Sequence, residues 1–255
     1  MRGQNHSLQN IVLLTATISP PKNAKNLVVV DSSLRLQQYL SAFEFYLQQI
    51  QQKCFSHIVF VDNSGSDCSS LNKLVIDNNL TNQVEIISYY GLDHPVVYGR
   101  GFGEFKLVEY AMLNSRIILS ADKDAAIWKI TGRYIVTNLA LIIKANPLAA
   151  DFYCHCRNYP MPWIDLYILK WKKSAYPKFL ANIYLQLKEG EDAESSEQKF
   201  RKIVDMNSVN INLVKRFNTI PHLVGIRGYD NQSYQNTYKH LIRSIFNTLF
   251  PFIWI

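Results

Sequence analysis

The chain alternates between two hydrophobic periods, and the points where one gives way to the other predict its elements. NIVLLTATISPP is continuously apolar until Thr, Ser and two prolines break it, which predicts a buried first strand ending in a loop. SSLRLQQYLSAFEFYLQQIQQ then places Leu36, Leu40, Phe43 and Leu47 at helical spacing behind serine caps, so a helix begins near residue 33. HIVFVDNSG is a second apolar run, stopped by Asp, Asn, Ser and Gly, and reads as a strand entering a turn. A helix through CSSLNKLVIDNNL, a strand at VEIISYY and a helix from Glu104 to Asn114 continue the alternation. AAIWKITGRYIV then reads as a buried strand that carries a lysine and a glycine kink at its centre.

Strand and helix in alternation predict the α/β class, a parallel sheet covered by helices on both faces. Ligands in such sheets sit beyond the carboxyl ends of the strands, so the residues of interest are Thr15 to Thr17, Asp62 to Ser64 and the segment from Lys129 to Tyr134. After residue 150 the pattern loosens. DFYCHCR predicts a strand, MPWIDLYILKWKKSAYPKFLANIYLQL a turn followed by helical material, and SSEQKFRKIVDM a capped helix. Strands and loops follow from Asn207, then the basic, apolar tail KHLIRSIFNTLFPFIWI.

At 255 residues the chain is long enough to build a core without disulfide or metal staples. With 48% hydrophobic and 18% charged residues, it is neither a disordered nor a fibrous sequence. Lys and Arg number 27 against 20 Asp and Glu, and the resulting net charge of +7 favours an anionic partner: a phosphate-bearing ligand, nucleic acid or acidic lipid. The basic residues are scattered and no nucleic-acid recognition motif is present, which argues against nucleic acid. Cys54, Cys68, Cys154 and Cys156 lack zinc spacing and read as reduced, partly buried thiols. The first residues lack a signal-peptide pattern and the apolar run at 11 to 18 is too short to span a bilayer, so a cytoplasmic location is expected.

GRGFGEFKLVEYAMLNS followed by WKITGRYIV resembles a group of small bacterial glycosyltransferases of GT-A-like fold, found in capsule, lipopolysaccharide and other surface-glycan gene clusters. In that group a Gly-rich turn with a downstream Lys leads a helix, and a strand then carries Lys-x-x-Gly-Arg-Tyr. The likeness covers residues 10 to 205. It implies a GT-A-like, mostly parallel central sheet flanked by helices, with a nucleotide-sugar-binding and catalytic domain over 1–205. A small C-terminal extension over 206–255 would pack on that domain or associate with a membrane. The implied reaction is hexosyltransferase-like: a sugar moves from a nucleotide-sugar donor to the hydroxyl of a glycan or lipid-linked acceptor in surface polysaccharide synthesis, with no cofactor besides the donor.

Several residues follow as candidates. Lys129 and Arg133, four positions apart with Gly132 between them, would steady the negative charge that develops on a departing diphosphate. Arg adds a planar fork suited to phosphate. Asp122 and Asp124 in SADKDAA, after the run Ile117-Ile118-Leu119 read as a strand, form a literal Asp-x-Asp, the pattern by which related enzymes hold Mn or Mg on the diphosphate; the preferred reading is cationic side chains in place of a metal. Gly99, Gly101 and Gly103 precede a helix and would let backbone amides approach a phosphate, with Arg100 and Lys106 beside them. The resemblance assigns the nucleoside to the loops holding Thr15, Ala16, Thr17, Asp62 and Asn63, and Arg35 could reach the same pocket. Among the acids Glu191, Asp192, Glu194 and Glu197, Glu197 before Phe200 fits best as the carboxylate that takes the acceptor's proton in an inverting transfer. Asp165 is the next candidate, or lines the acceptor site with Trp163. In the tail, Lys239, His240 and Arg243 among Leu, Ile, Phe and Trp suit the inner face of an anionic cytoplasmic membrane. Two rival readings remain: a non-catalytic nucleotide- or nucleic-acid-binding basic module, and an inactive transferase-like partner subunit.

Overall fold

A computed structural model describes residues 9–21, 27, 29–190, 194–207 and 210–225. In chain order the strands and α-helices are β1 (Asn10–Ala16), α1 (Ser32–Gln51), β2 (His57–Asp62), α2 (Ser69–Asp77), β3 (Val84–Ser88), α3 (Gly99–Asn114), α4 (Arg116–Ser120), β4 (Ala126–Thr131) and β5 (Ile135–Val136). They continue with α5 (Leu139–Lys144), β6 (Phe152–Tyr153), β7 (Cys156–Arg157), β8 (Trp163–Ile164), β9 (Ile168–Lys172), α6 (Tyr176–Phe179), α7 (Ser196–Met206), β10 (Leu213–Val214) and β11 (Leu223–Val224).

The expected α/β architecture is present. Seven strands form one sheet in the order β10-β6-β9-β4-β1-β2-β3, and β1 runs parallel to both β2 and β4, as β2 does to β3. Period-2 alternation divides each inner strand between two cores. Val12, Leu14, Phe60 and Trp128 pack beneath Tyr39, Phe43 and Tyr46 of α1 and Leu71 and Val75 of α2. Ile11, Leu13, Val59 and Ile127 pack on the opposite face beneath Phe105, Val108 and Ala111 of α3 and Phe200 of α7. Both cores are buried apolar surface on a sheet with no exposed inner face, which explains why the strands read as unbroken apolar runs.

Three readings of the sequence change. The third helix begins at Gly99, not Glu104, so the whole Gly-rich segment is helical. Ile117 to Leu119 belong to α4 rather than to a strand before Asp122. The segment taken as helical after Trp163 contains β9, an inner strand antiparallel to both β4 and β6. Its lysines hid it: Lys170 is fully buried and donates to the Ala150 carbonyl at 2.7 Å, an arrangement that apolar periodicity cannot anticipate. β10 lies beside β6 in the sheet and β11 pairs with β5, so these two strands of the expected extension over 206–255 pack on the preceding chain. The basic tail with Lys239, His240 and Arg243 lies outside the described residues, as do Glu191 and Asp192.

Cys154 and Cys156 are buried free thiols with their Sγ atoms 3.7 Å apart. Among the described residues no helix is long and apolar enough to cross a membrane, and no group of three or more His, Cys, Asp or Glu is placed to hold a metal ion.

Candidate active site

The chain winds outward from β1 through α1, β2, α2 and β3, then crosses by α3 to β4 on the other side of β1. The strand order therefore reverses between β1 and β4, and the crevice outside the carboxyl ends of those two strands is where a sheet of this kind binds a ligand. Thr15 and Thr131 are paired neighbours at that point.

On the α3 side, Lys129 is fully buried, and its ammonium lies 2.6 Å from Glu104 Oε1 of α3. It also donates to the Leu166 carbonyl at 2.5 Å and to Thr131 Oγ1 at 3.3 Å, which uses all its donors. The Thr15 and Thr131 hydroxyls donate to the same Glu104 oxygen at 2.8 and 3.0 Å. Burial pushes the Glu104 carboxyl up, but the ammonium and the two hydroxyls outweigh it and hold the group below the usual carboxylate range. Burial likewise lowers the Lys129 ammonium, against the attraction of Glu104 and Glu197. The structure places Lys129, a candidate for the diphosphate, among these protein acceptors.

Glu197 stands in the first turn of α7, behind the N-cap Ser195 and its capping box with Gln198. Burial raises its carboxyl above the ordinary value; Arg100 opposes the shift and Glu189 adds to it. Glu197 is partly buried and close enough to Lys129 for its charge to favour the ammonium. The glycines of α3 serve this corner rather than a phosphate. A Cβ at Gly99 would overlap the Glu189 side chain, one at Gly101 the Ser196 side chain, and one at Gly103 would press on the His94 ring at 3.2 Å. Gly99, at φ +81, is also in the left-handed region. Gly101 lets α3 approach α7 closely and Gly99 the segment before α7, and Glu189 accepts from the Ser196 amide and hydroxyl at 3.0 and 2.6 Å to fix the contact.

On the α1 side, Arg133 and Arg35 come together. Arg133 is 8% exposed; its Nη1 donates to Gln38 Oε1 at 3.2 Å, its guanidinium lies over the Tyr134 ring at 5.6 Å, and its buried Nε has no partner. Arg35 is 4% exposed and donates to the carbonyls of Thr17 (2.7 Å) and Val29 (3.2 Å) and to the Tyr39 hydroxyl (3.3 Å). Burial lowers the Arg35 guanidinium from its ordinary value, and the charge on Arg133 lowers it further. Among the described residues neither guanidinium has a carboxylate partner, and the buried Gln38 Nε2 is also without one. Two buried like charges without a counter-ion are costly unless an anion joins them.

The remaining candidates separate. Asp62 is fully buried and its carboxylate accepts from the amides of Ile18 (2.8 Å), Ser64 (3.0 Å) and Ser66 (3.1 Å) and from the Ser64 hydroxyl. It ties the loops after β1 and β2 together and has no oxygen to spare for a ribose. Asn63 accepts from the Thr17 hydroxyl at 2.7 Å, and its amide donates to the Ala16 carbonyl, so these residues brace the same loops. Asp165 is held by Arg157 and by the Tyr167 hydroxyl at 3.2 Å, a paired position that does not suit a base. Lys106 is bonded to Asp93 at 2.5 Å. Arg100 is exposed on the first turn of α3 and faces Glu197 electrostatically. Asp122 and Asp124 lie before β4, at the amino ends of the parallel strands and so at the opposite edge from the crevice. At the carboxyl end of β4 stand Thr131, Gly132 and Arg133 instead. Sequence reasoning missed Glu104 and Gln38. A lysine inside an apolar strand was the available signal for Glu104, because its charge demands a carboxylate from the helix packed above it.

No protein-family model and no curated protein matches the chain. Among solved structures it is similar to a protein of Desulfovibrio desulfuricans described as a nucleotide-diphospho-sugar transferase, with 14% identity and a TM-score of 0.49 over 82% of this chain and 80% of that one. It is similar to a 4-diphosphocytidyl-2C-methyl-D-erythritol synthase, with 14% identity and a TM-score of 0.47 over 94% and 98% of the two chains. A third is the galactosyltransferase LgtC, solved with donor and acceptor sugar analogs, at 10% identity and a TM-score of 0.47 over 81% and 73%.

Proposed function

We propose that the chain is a GT-A-like glycosyltransferase that moves a sugar from a nucleotide-sugar donor to a glycan or lipid-linked acceptor in bacterial surface polysaccharide synthesis. One observation carries the reading: Arg35 and Arg133 are buried together at the strand-order reversal with no carboxylate among the described residues to neutralise them. A diphosphate is the ligand of matching charge, and it bears more negative charge as it leaves than in the bound donor. Fixed guanidinium groups therefore stabilise the transition state beyond the ground state. This placement supports charge neutralisation by arginine in place of a metal.

In the proposed step the acceptor oxygen attacks the anomeric carbon from the face opposite the diphosphate. The anomeric carbon–oxygen bond to the diphosphate breaks, with its electron pair departing on the leaving group, and Glu197 takes the acceptor's proton. The raised carboxyl of Glu197 suits that task, and single displacement gives inversion. The test is calorimetry and turnover against UDP-, GDP- and TDP-linked hexoses, with and without manganese and chelator. Binding of one donor, abolished in Arg133→Ala and indifferent to chelator, supports the reading. A wild type that binds none of them, or an Arg133→Ala variant of unchanged activity, refutes it. A partner subunit without catalysis would bind no donor, and a nucleic-acid module would instead bind oligonucleotides with steep salt dependence.

A further inference from the structure

Resting on the proposed donor site, we infer that Glu104 receives a ring hydroxyl of the donor sugar on its free carboxylate oxygen, Oε2, and is thereby a specificity-determining residue. Its two oxygens are treated unequally. Oε1 accepts from the Lys129 ammonium and from the Thr15 and Thr131 hydroxyls, all within 3.0 Å, whereas Oε2 has no hydrogen-bond partner among the described residues. The side chain is 23% exposed, and Oε1 is enclosed by three donors at the carboxyl ends of β1 and β4. The three donors come from the paired ends of β1 and β4, the two strands that bound the crevice.

A purely structural role does not call for this arrangement. A buried ion pair contributes little to stability compared with apolar residues of the same volume, because two charges must be stripped of water. Here a fully buried lysine and two threonines all converge on one oxygen, which fixes the carboxylate in position and leaves the other oxygen for a donor outside the fold. An ionised carboxylate offers only acceptors, so it selects a ligand with O–H or N–H groups, as a sugar ring has and a diphosphate lacks. Glu104 lies on the α3 face and the guanidinium pair on the α1 face of the same sheet edge, which separates the sugar from its carrier.

The test compares each bare nucleoside diphosphate with its sugar conjugate in the full chain. The double variant Glu104→Gln with Lys129→Met removes both charges together, and its fold is checked by melting temperature and near-ultraviolet dichroism. The expected result is nucleoside diphosphate affinity within about twofold of wild type and a loss of tenfold or more in the extra affinity and turnover conferred by the sugar, the scale of a hydrogen bond to a charged group. A deoxy donor lacking the recognised hydroxyl should bind wild type and variant alike. Should the double variant fail to fold, Glu104→Asp keeps the charge, withdraws the oxygen by one methylene, and should show the same sugar-specific loss. Equal loss for the diphosphate and its conjugate, or no loss for either, overturns the inference while leaving the donor site standing. Failure of wild type to bind any nucleoside diphosphate overturns both.

Discussion

Arg133→Met should make the unliganded protein more stable and the liganded one less so. In the free protein the Arg133 Nε is a buried donor without an acceptor, and such a group costs about 1–3 kcal/mol. Methionine retains the apolar stem against Tyr134 and removes both that donor and the repulsion felt by Arg35. The variant gives up the bond to Gln38 and the guanidinium contact with the Tyr134 ring, together about 1 kcal/mol. The net gain is about 1 kcal/mol, or about 2–4 °C in Tm for a chain of this size. Nucleoside diphosphate at one hundred times its Kd should raise the wild-type Tm by about 5–11 °C, corresponding to about 2.7 kcal/mol, and should leave the variant almost unmoved. Differential scanning calorimetry with and without the nucleotide reads both effects. A variant that melts well below wild type yet keeps the full ligand shift would show that Arg133 is a packing residue, and the reasoning from its missing counter-ion would fail.

Lys129→Met alone should destabilise by about 3 kcal/mol in urea unfolding, the low end for breaking a buried pair because Glu104 retains some solvent access; adding Glu104→Gln should recover much of it. Gly101→Ala should force α3 away from α7 and lower both Tm and activity, and Ser196→Gly in the same chain should restore them by removing the side chain that the new methyl meets. Burial lowers the Lys170 ammonium from 10.5 to about 8, so the unfolded chain binds more protons between those values and wild-type stability should rise with pH across that window. Lys170→Met should abolish that slope and be the more stable protein near pH 7, as denaturant midpoints measured from pH 7 to 10.5 would show.

The parallel half of the fold was legible because its strands are buried on both faces and its helices carry their apolar residues at helical spacing. β1, β2, β3 and β4 stand where the apolar runs put them, and α7 begins behind its Ser195 cap, whereas α1 is capped by Asp31 rather than by its serines and α2 follows Cys68 with no side-chain cap bond. The remainder was legible only in part. DFYCHCR holds β6 and β7, and the chain after Asn207 holds β10 and β11, but β9 carries Lys170 with a backbone carbonyl as its acceptor and read as helical, and β8 is two residues long, too short to show any period. The site divides along the same line. Arg133 and Arg35 could be singled out from charge set among apolar neighbours, and Glu197 from its place at a helix start. Which of the charged groups pair with each other could not, because Glu104 and Lys129 are 25 residues apart in the chain and meet only when α3 crosses the sheet.

The kink in β4 accounts for the separation of its two cations. Lys129 and Thr131 share the strand face under α3, and unbroken pleating would send Arg133 to that face as well. Gly132 interrupts the alternation: its amide donates to the Thr15 carbonyl at 2.9 Å, and the Tyr134 amide closes a turn onto the Thr131 carbonyl at 2.9 Å. A Cβ at Gly132 would stand 3.0 Å from that same Thr15 oxygen and 3.4 Å from the Tyr39 ring, so the chain can turn this closely only where there is no side chain. The turn delivers Arg133 to Gln38 and the α1 face, one strand-end away from the carboxylate held by Lys129. On the proposed function, this one glycine lets a single strand fix a cation for the leaving diphosphate and an anion for the sugar, on opposite sides of the bond that breaks.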